Sequence, residues 1–484
     1  MLKLLLLIPV VGAAVIGVLP ARQVALIRRM ALAFAAFTLA HSCALLARYD
    51  PSEAGIQLLE SHPWNVRLGT SFALAVDGFS LPLVLLGALL TLVAVLASGS
   101  VRHGAKLYFI LLLLLESSML GVFLARDWSL FYVFWELTLI PLFFLIDRLG
   151  GANRHRAALN FVLYTMGGSV FMLVALLLLY DAAPGHSFAM TDMAAGARTL
   201  PAQTQTLIFL GLLVGFGVKM PIFPLHGWLP LAHVEAPSPV SILLSGILLK
   251  MGSYGLIRAA EALPAAVLAA QDWLAALAFV NLLYGGVLAW RQRDLKAMVA
   301  YSSISHMGVV LLGIAALNTI GMTGAMLQMV AHGLVAGALF LLVGLLYERT
   351  HTRDIADYGS LTHSMPRFAF FTVLAFLAAV GLPGTAGFVA ELHALVGSFA
   401  RWGGWVALLS LSVLISAAYA IRTIGRLTTG PVGATMRDVP DLTLAEMTAA
   451  CVLSAAILVL GFYPAPAVSL VRASVSELGR LFGG

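Results

Sequence analysis

The sequence predicts an all-α polytopic membrane protein, and three observations carry that prediction. The chain is 61% hydrophobic and only 10% charged over 484 residues, with mean hydropathy +0.98, whereas a soluble domain carries about 25% charge. Its apolar runs recur in lengths near the ~20 residues that a bilayer core demands. The loops between them are short, the longest running from about Arg48 to Ser71. A β-barrel would show short alternating segments instead. No segment is long enough for a soluble domain with its own core, so a nucleotide would have to bind elsewhere. The net charge of +6 falls in membrane-flanking loops and gives no reason to expect a nucleic-acid partner.

About 14 spans are expected, at 2–20, 24–47, 78–100, 106–124, 128–147, 157–180, 205–228, 238–260, 272–290, 298–316, 320–346, 368–395, 405–427 and 444–466. The first run, MLKLLLLIPVVGAAVIGVLPAR, has the length and early lysine of a signal peptide. A second membrane segment follows after a basic turn, so it is read as a retained first helix. Asp77 opens the third span and is expected to serve as its N-cap. The seventh and eighth spans flank GFGVKMPIFPLHGWLPLAHVEAPSPVSILLSGILLK, where Pro221, Pro224, Pro230, Pro237 and Pro239 interrupt the helix. Proline removes a backbone donor, and a broken helix in a bilayer is tolerated where protein or a water-filled cavity satisfies the freed carbonyls. The twelfth span is interrupted in the same way by Pro383, Gly384 and Gly387.

A faint internal repeat links these breaks. Glu136 and Lys219 lie 83 residues apart, and His306 and Glu391 lie 85 apart. Interrupted helices at corresponding places in two halves point to a transport site, and an odd number of helices per unit, about five here, inverts the second copy. The expected organisation is N-terminal helices over 1–105, a first repeat over 106–260, a second over 272–427, and a C-terminal helix over 444–484. Loops after odd-numbered spans hold the larger share of the 28 Lys and Arg, including Arg28, Arg154, Arg293, Arg422, Arg426 and Arg437. The bias places that side in the cytoplasm and both termini outside it. Lys219 and Lys250 are the cations that no loop claims. The two cysteines, Cys43 and Cys451, show no ligand spacing, and neither a metal nor a bound cofactor is expected.

An ionisable group at membrane depth costs about 2.5–3.5 kcal/mol on insertion scales and marks function by default. Glu136, in FYVFWELTLIPLFFLI, reads as a proton-path carboxylate coupled to Lys219, against the plainer reading of a packing salt bridge. A nearby carboxylate favours charged lysine and desolvation favours the neutral form, so separating the two releases a proton. Lys250, at the end of SILLSGILLK, is either a mid-membrane proton carrier or a lysine snorkelling to the interface. His306 and His332 lie between Lys250 and Glu391 in chain order, and histidine passes protons between its two nitrogens. Each is, taken alone, equally well a histidine bonded to a neighbouring helix. Glu391, in GLPGTAGFVAELHALVGSF, is read as an exit carboxylate. His226, His233 and Glu116 are weaker candidates.

At these residues the chain resembles a known family. FWELTLIPLFFLI, VKMPIFPLHGWLPLAHVEAPSPVSILLSGILLKMGSYGLIR, RQRDLKAMVAYSSISHMG and LPGTAGFVAEL together are similar to the antiporter-like, proton-translocating subunits of respiratory complex I. The similarity runs from Asp77 onward. A glutamate at 391, where the L and N types look to carry lysine, makes the M type (chain 4) of NADH–quinone oxidoreductase the nearest resemblance. So does the chain's ending soon after the last span, without the lateral helix of the L type. The resemblance implies a fold of about 14 helices with two inverted repeats. It implies a coupled pair at Glu136 and Lys219, a central lysine at Lys250, bridging groups at His306 and His332, and a terminal residue at Glu391. It also implies FMN, iron–sulfur clusters, NADH and quinone in partner subunits, and L- and N-type neighbours in the bilayer. Rival readings are a multisubunit sodium/proton antiporter, the membrane arm of a hydrogenase, and a scaffold whose buried charges can be neutralised without loss of pumping.

Overall fold

The computed structural model describes residues 1–431, 436 and 439–483; Arg437, counted above among the loop cations, and Gly484 lie outside the described residues. Helices α1 (Leu2–Val18) and α2 (Val24–Leu46) precede a hairpin of β1 (Gln57–Asn65) and β2 (Thr70–Val76). Then follow α3 (Ser80–Ala97), α4 (Ala105–Leu124), α5 (Trp128–Leu137), α6 (Leu139–Leu149), α7 (Arg154–Ala182), the short α8 (Met190–Ala197) and α9 (Ala202–Lys219). The broken segment holds α10 (Leu229–Glu235); α11 (Ser238–Leu243) passes through a π turn at Leu244–Leu248 into α12 (Leu249–Ala262). After α13 (Pro264–Ala269) come α14 (Gln271–Arg291), α15 (Leu295–Ala315), α16 (Thr319–Thr350), α17 (Leu361–Ser364), α18 (Pro366–Ala379) and α19 (Ala386–Trp402). The chain closes with α20 (Ser410–Thr428), α21 (Leu444–Phe462) and α22 (Ala465–Arg480).

Twelve helical segments among the described residues are long and apolar enough to cross a membrane, and α1 and α18 are apolar but shorter. The expected count of about 14 is not reached by that measure. The reason is local: Pro383 ends α18 early, and α19 runs through a 3-10 turn into α20, so the expected spans 368–395 and 405–427 are redistributed. The expected span 205–228 likewise stops at Lys219, because Pro221 and Pro224 cannot continue the helix. The expected loop 48–71 contains most of an antiparallel hairpin, with Glu60 opposite Leu74 and His62 opposite Phe72. Gly69 makes its turn at φ +60°, and a Cβ there would stand 2.2 Å from the His186 carbonyl oxygen, so only glycine fits.

The helices form an inner and an outer set. Every residue from 239 to 260 is buried, and α15 and α16 are nearly so, whereas α2, α7, α14 and α21 expose most of theirs. The outer helices expose leucine, valine and phenylalanine, which suits lipid. The polar residues singled out in the sequence lie mainly on or beside the inner helices.

A candidate proton path at the helix breaks

Each break has a proline behind it. Pro141 gives no N–H to the Leu137 carbonyl, and the helix expected over 128–147 is interrupted at Thr138. Beside that interruption ends α9, whose last residue is Lys219, buried at 1% exposure. Lys219 Nζ donates to Thr138 Oγ1 at 3.2 Å and lies 4.9 Å from the centre of the Trp135 ring. The Thr138 hydroxyl donates in turn to the Trp135 carbonyl at 2.7 Å. The broken segment is held from α14. Asn281 accepts from Phe223 N at 2.7 Å and donates to the Pro221 carbonyl at 3.1 Å, while the Trp228 indole donates to the Val218 carbonyl at 2.8 Å.

Glu136 is two residues before Lys219's partner Thr138, yet the two charges are not in ion-pair contact in this structure. Glu136 Oε1 is buried without a hydrogen-bond partner, and its side chain lines an apolar groove with Tyr132, Ile140, Phe143 and Met166. The expected pair is therefore a near neighbourhood with the lysine held on Thr138 and Trp135, the separated arrangement of the two.

A second cluster is continuous. Lys250 is fully buried, so its ammonium group lies within the protein and not at its surface. Its Nζ donates to the Ser245 carbonyl at 2.6 Å and bonds His332 Nδ1 at 2.7 Å. The π turn supplies the carbonyl, since its wider winding departs from regular α bonding; such turns recur at functional sites. Ser245 Oγ also meets Ser303 Oγ at 3.0 Å. The His332 and His306 rings stand edge to face with centres 5.4 Å apart. His306 Nε2 donates to the Ala379 carbonyl at 3.0 Å. That carbonyl is free because its helical partner four residues on is Pro383. A carbonyl only accepts, so His306 carries its proton on Nε2. With Lys250 charged, His332 accepts at Nδ1 and its protonated Nε2 is left without a partner.

Glu391 completes this line. A small cavity of about 10 Å³ is lined by His306, Gln328, His332, Ala379 and Glu391, and a second of about 20 Å³ by His306, Ser305 and Glu391. A single water needs roughly 10–15 Å³, so single waters fit between the histidines and the carboxylate. Gly381, at φ +76°, brings the backbone against Glu391: an added Cβ would lie 2.8 Å from its Oε2. Gly381→Ala is expected to cost about 1–2 kcal/mol for the left-handed backbone and to displace the carboxylate. Thermal inactivation and proton uptake of the variant check both effects.

The weaker candidates stand apart. His233 is buried and stacked on Phe340 at 4.6 Å, both ring nitrogens without partners. His226 packs between Phe223 and Tyr284 in the broken segment. Glu116 is buried in α4 with neither oxygen hydrogen-bonded.

Three further charged residues were missed in the sequence. Lys296, assigned above to a loop, is 4% exposed and donates to the Ala236 carbonyl. Glu235, in AHVEAP, accepts from Asn153 N at 2.9 Å. Arg258, also assigned to a loop, is buried and donates to Asp77 Oδ2 at 2.5 Å, beside Arg126 at 2.9 Å. Lys219 and Lys250 are thus not the only cations taken from the loops. The apolar residues following Lys296 and surrounding Arg258 were the available signal. Asp77 does cap α3, accepting from Phe79 N and Ser80 N, and it anchors the two arginines as well. Among the described residues no three His, Cys, Asp or Glu side chains group as metal ligands.

Residues 125–416 match the family model described as NADH:quinone oxidoreductase/Mrp antiporter, TM. Among similar proteins, NAD(P)H-quinone oxidoreductase chain 4 2 of Thermosynechococcus vestitus is 42% identical, covering 99% of this chain and 92% of that protein. NADH-quinone oxidoreductase subunit M of Rhodobacter capsulatus is 39% identical, covering 99% of this chain and 96% of its own length. A chain in respiratory complex I from Thermus thermophilus with bound NADH superposes with a TM-score of 0.92 at 34% identity, covering 100% of both chains.

Proposed function

The chain belongs to the NADH:quinone oxidoreductase/Mrp antiporter transmembrane family, and from that premise we propose how its buried residues carry protons. It is a membrane-spanning, proton-translocating subunit of NADH–quinone oxidoreductase, of the chain 4 or subunit M type. The enzyme's redox reaction lies in the assembly. We assign FMN, the iron–sulfur clusters, NADH oxidation and quinone reduction to partner subunits, and we expect L- and N-type subunits as its neighbours. The bacterial inner membrane, with both termini periplasmic, is the location that the loop arginines support.

The observation that carries the route is the contact of Lys250 with His332 at 2.7 Å, leading through His306 and two water-sized cavities to Glu391. Glu136 and Lys219 form the input pair. Drawing the carboxylate toward the lysine favours the charged lysine, and letting it go lowers the lysine's hold on its proton. A proton on Lys250 passes to His332 Nδ1, leaves from Nε2, and crosses by water to Glu391, which releases it outward. His233 and Lys296 lie at the broken segment on the side from which cytoplasmic protons would enter. The organisation into two inverted repeats, 106–260 and 272–427, accounts for a proline break beside each end of this path.

The test is NADH-driven proton uptake in inverted membrane vesicles. His332→Leu removes the acceptor of Lys250 and is expected to lower uptake at least about fivefold, the worth of roughly one net hydrogen bond, with assembly intact. Unchanged uptake in that variant would place the route elsewhere. A requirement for sodium in place of protons would return the sodium/proton antiporter reading.

A further inference from the structure

At the end of α14 the chain carries Arg291 and Arg293, and alongside it α20 carries Arg422 and Arg426 one turn apart. Two adjoining clefts lie there: one between Val287, Trp290, Arg291, Arg293 and Arg422, the other reaching Arg426. Arg422 belongs to both, and its Nη1 donates to the Trp290 carbonyl at 3.1 Å, which fixes its guanidinium between the helices. All four arginines are exposed. None is in an ion pair with a carboxylate among the described residues. Asp357, the acid at the rim, accepts the Thr352 hydroxyl.

Below the arginines the walls turn apolar. Ile421 is 65% exposed, Val287 46% and Trp290 44%. In a bilayer this is a vertical sequence of charge, indole and hydrocarbon. Tryptophan concentrates at the head-group level, and basic pockets between membrane helices bind anionic head groups. Uncompensated guanidiniums directly above an exposed apolar groove match a ligand with a phosphodiester at one end and acyl chains at the other. A free phosphate would leave the groove without a partner, and an acidic protein surface would leave its apolar floor unmatched.

We propose that this cleft binds one anionic phospholipid, with its phosphodiester on Arg422 and its neighbours and its acyl chains along the exposed faces of α14 and α20. None of the residues lining the cleft lines the cavities between His306 and Glu391, so the proposal stands whether or not the proton route does. Arginine suits it through its planar fork, which pairs two donors with phosphate oxygens.

The experiment uses the assembled complex, purified in mild detergent from wild type and from Arg422→Gln/Arg426→Gln, with bound phospholipids quantified by mass spectrometry. Each arginine is worth about fivefold in binding at a lipid surface. The double variant should therefore hold its anionic lipid roughly twentyfold less well and keep its zwitterionic lipid. The double lysine variant, which keeps the charge, should retain most of the anionic lipid. A photoactivatable phosphatidylglycerol in phosphatidylcholine vesicles should label the wild-type peptides holding Trp290 or Ile421. Retention of anionic lipid by the glutamine variant overturns the proposal. So does labelling confined to other helices, ready displacement of the lipid by millimolar inorganic phosphate, or a cross-link from position 422 that traps a partner subunit. If the glutamine variant does not assemble, the wild-type labelling decides.

Discussion

Glu136→Gln is expected to cut redox-driven proton uptake by at least about tenfold while the complex still assembles. A tenfold loss corresponds to only about 1.4 kcal/mol. Two charges interact by about 4 kcal/mol at 4 Å near a protein surface, and by about 2 kcal/mol at roughly twice that distance. Removing the charge thus takes away more than the required energy even without ion-pair contact. Assembly should survive because Glu136 Oε1 has no hydrogen-bond partner to lose and the side chain opens onto an apolar groove. Glutamine keeps the shape and removes the charge. Lys219→Met should be equally damaging, and the double variant no worse than either, since both act through one coupling. Uptake, quinone reduction and the amount of assembled complex are followed together in inverted vesicles. Pumping that continues unchanged in the assembled variant would make Glu136 a structural charge and end the acid–lysine account.

Asp77→Ala should have the largest effect on stability. Its Oδ2 accepts from Arg126 at 2.9 Å and Arg258 at 2.5 Å, and its Oδ1 caps α3. Arg258 is further tied to Glu261 at 2.8 Å and to the Tyr254 hydroxyl at 2.9 Å. Removing the acid takes the carboxylate partner from Arg126 and leaves Arg258, fully inside the protein, with the Glu261 carboxylate alone, at a cost of about 3 kcal/mol. The variant should accumulate less complex and inactivate at lower temperature. Burial alone would push the Asp77 carboxyl up, but Arg258 and Arg126 outweigh it and hold the group well below the usual carboxylate range. A carboxyl depressed in this way stabilises the fold above its unfolded value, about 3.9, and loses that contribution only as pH falls through the folded value. Heat stability between about pH 8 and about pH 5 should therefore show no Asp77-dependent decline, and Asp77→Asn should sit lower by the same margin throughout. A gap between the two proteins that closes toward pH 5 would mean that the carboxyl titrates there and is not held by the arginines.

The breaks at Pro221, Pro224 and Pro383 were legible because they follow from covalent chemistry: each proline withholds a donor, and Lys219 and the free Ala379 carbonyl stand at those breaks. The break at Thr138, behind Pro141, was not expected, since 128–147 reads as one continuous apolar span. The candidate residues were legible for a related reason: a charge in an apolar run is costly wherever the run folds. Partnership was not legible. Lys250 and His332 stand 82 residues apart, and no spacing announces their contact. Nor does the sequence say that His233 stacks on Phe340 while His306 reaches Ala379.

Lys296 and Arg258 show the limit most plainly. Both lie close to expected span ends, where a lysine or arginine is ordinarily a loop cation. Only the packing of α10 against α15, and of α12 beside the Asp77 turn, takes them out of solvent. By itself the sequence determined that the chain lives in a bilayer, that its helices break near Pro221 and Pro383, and that Glu136, Lys219, Lys250 and Glu391 stand among apolar neighbours, because hydrocarbon solvation and proline chemistry act residue by residue. The tertiary structure alone decided which helices are inner, which buried groups touch, and which face carries the arginine cleft. A membrane helix is apolar on its lipid side and on its core side alike, so its sequence carries no period that tells one side from the other.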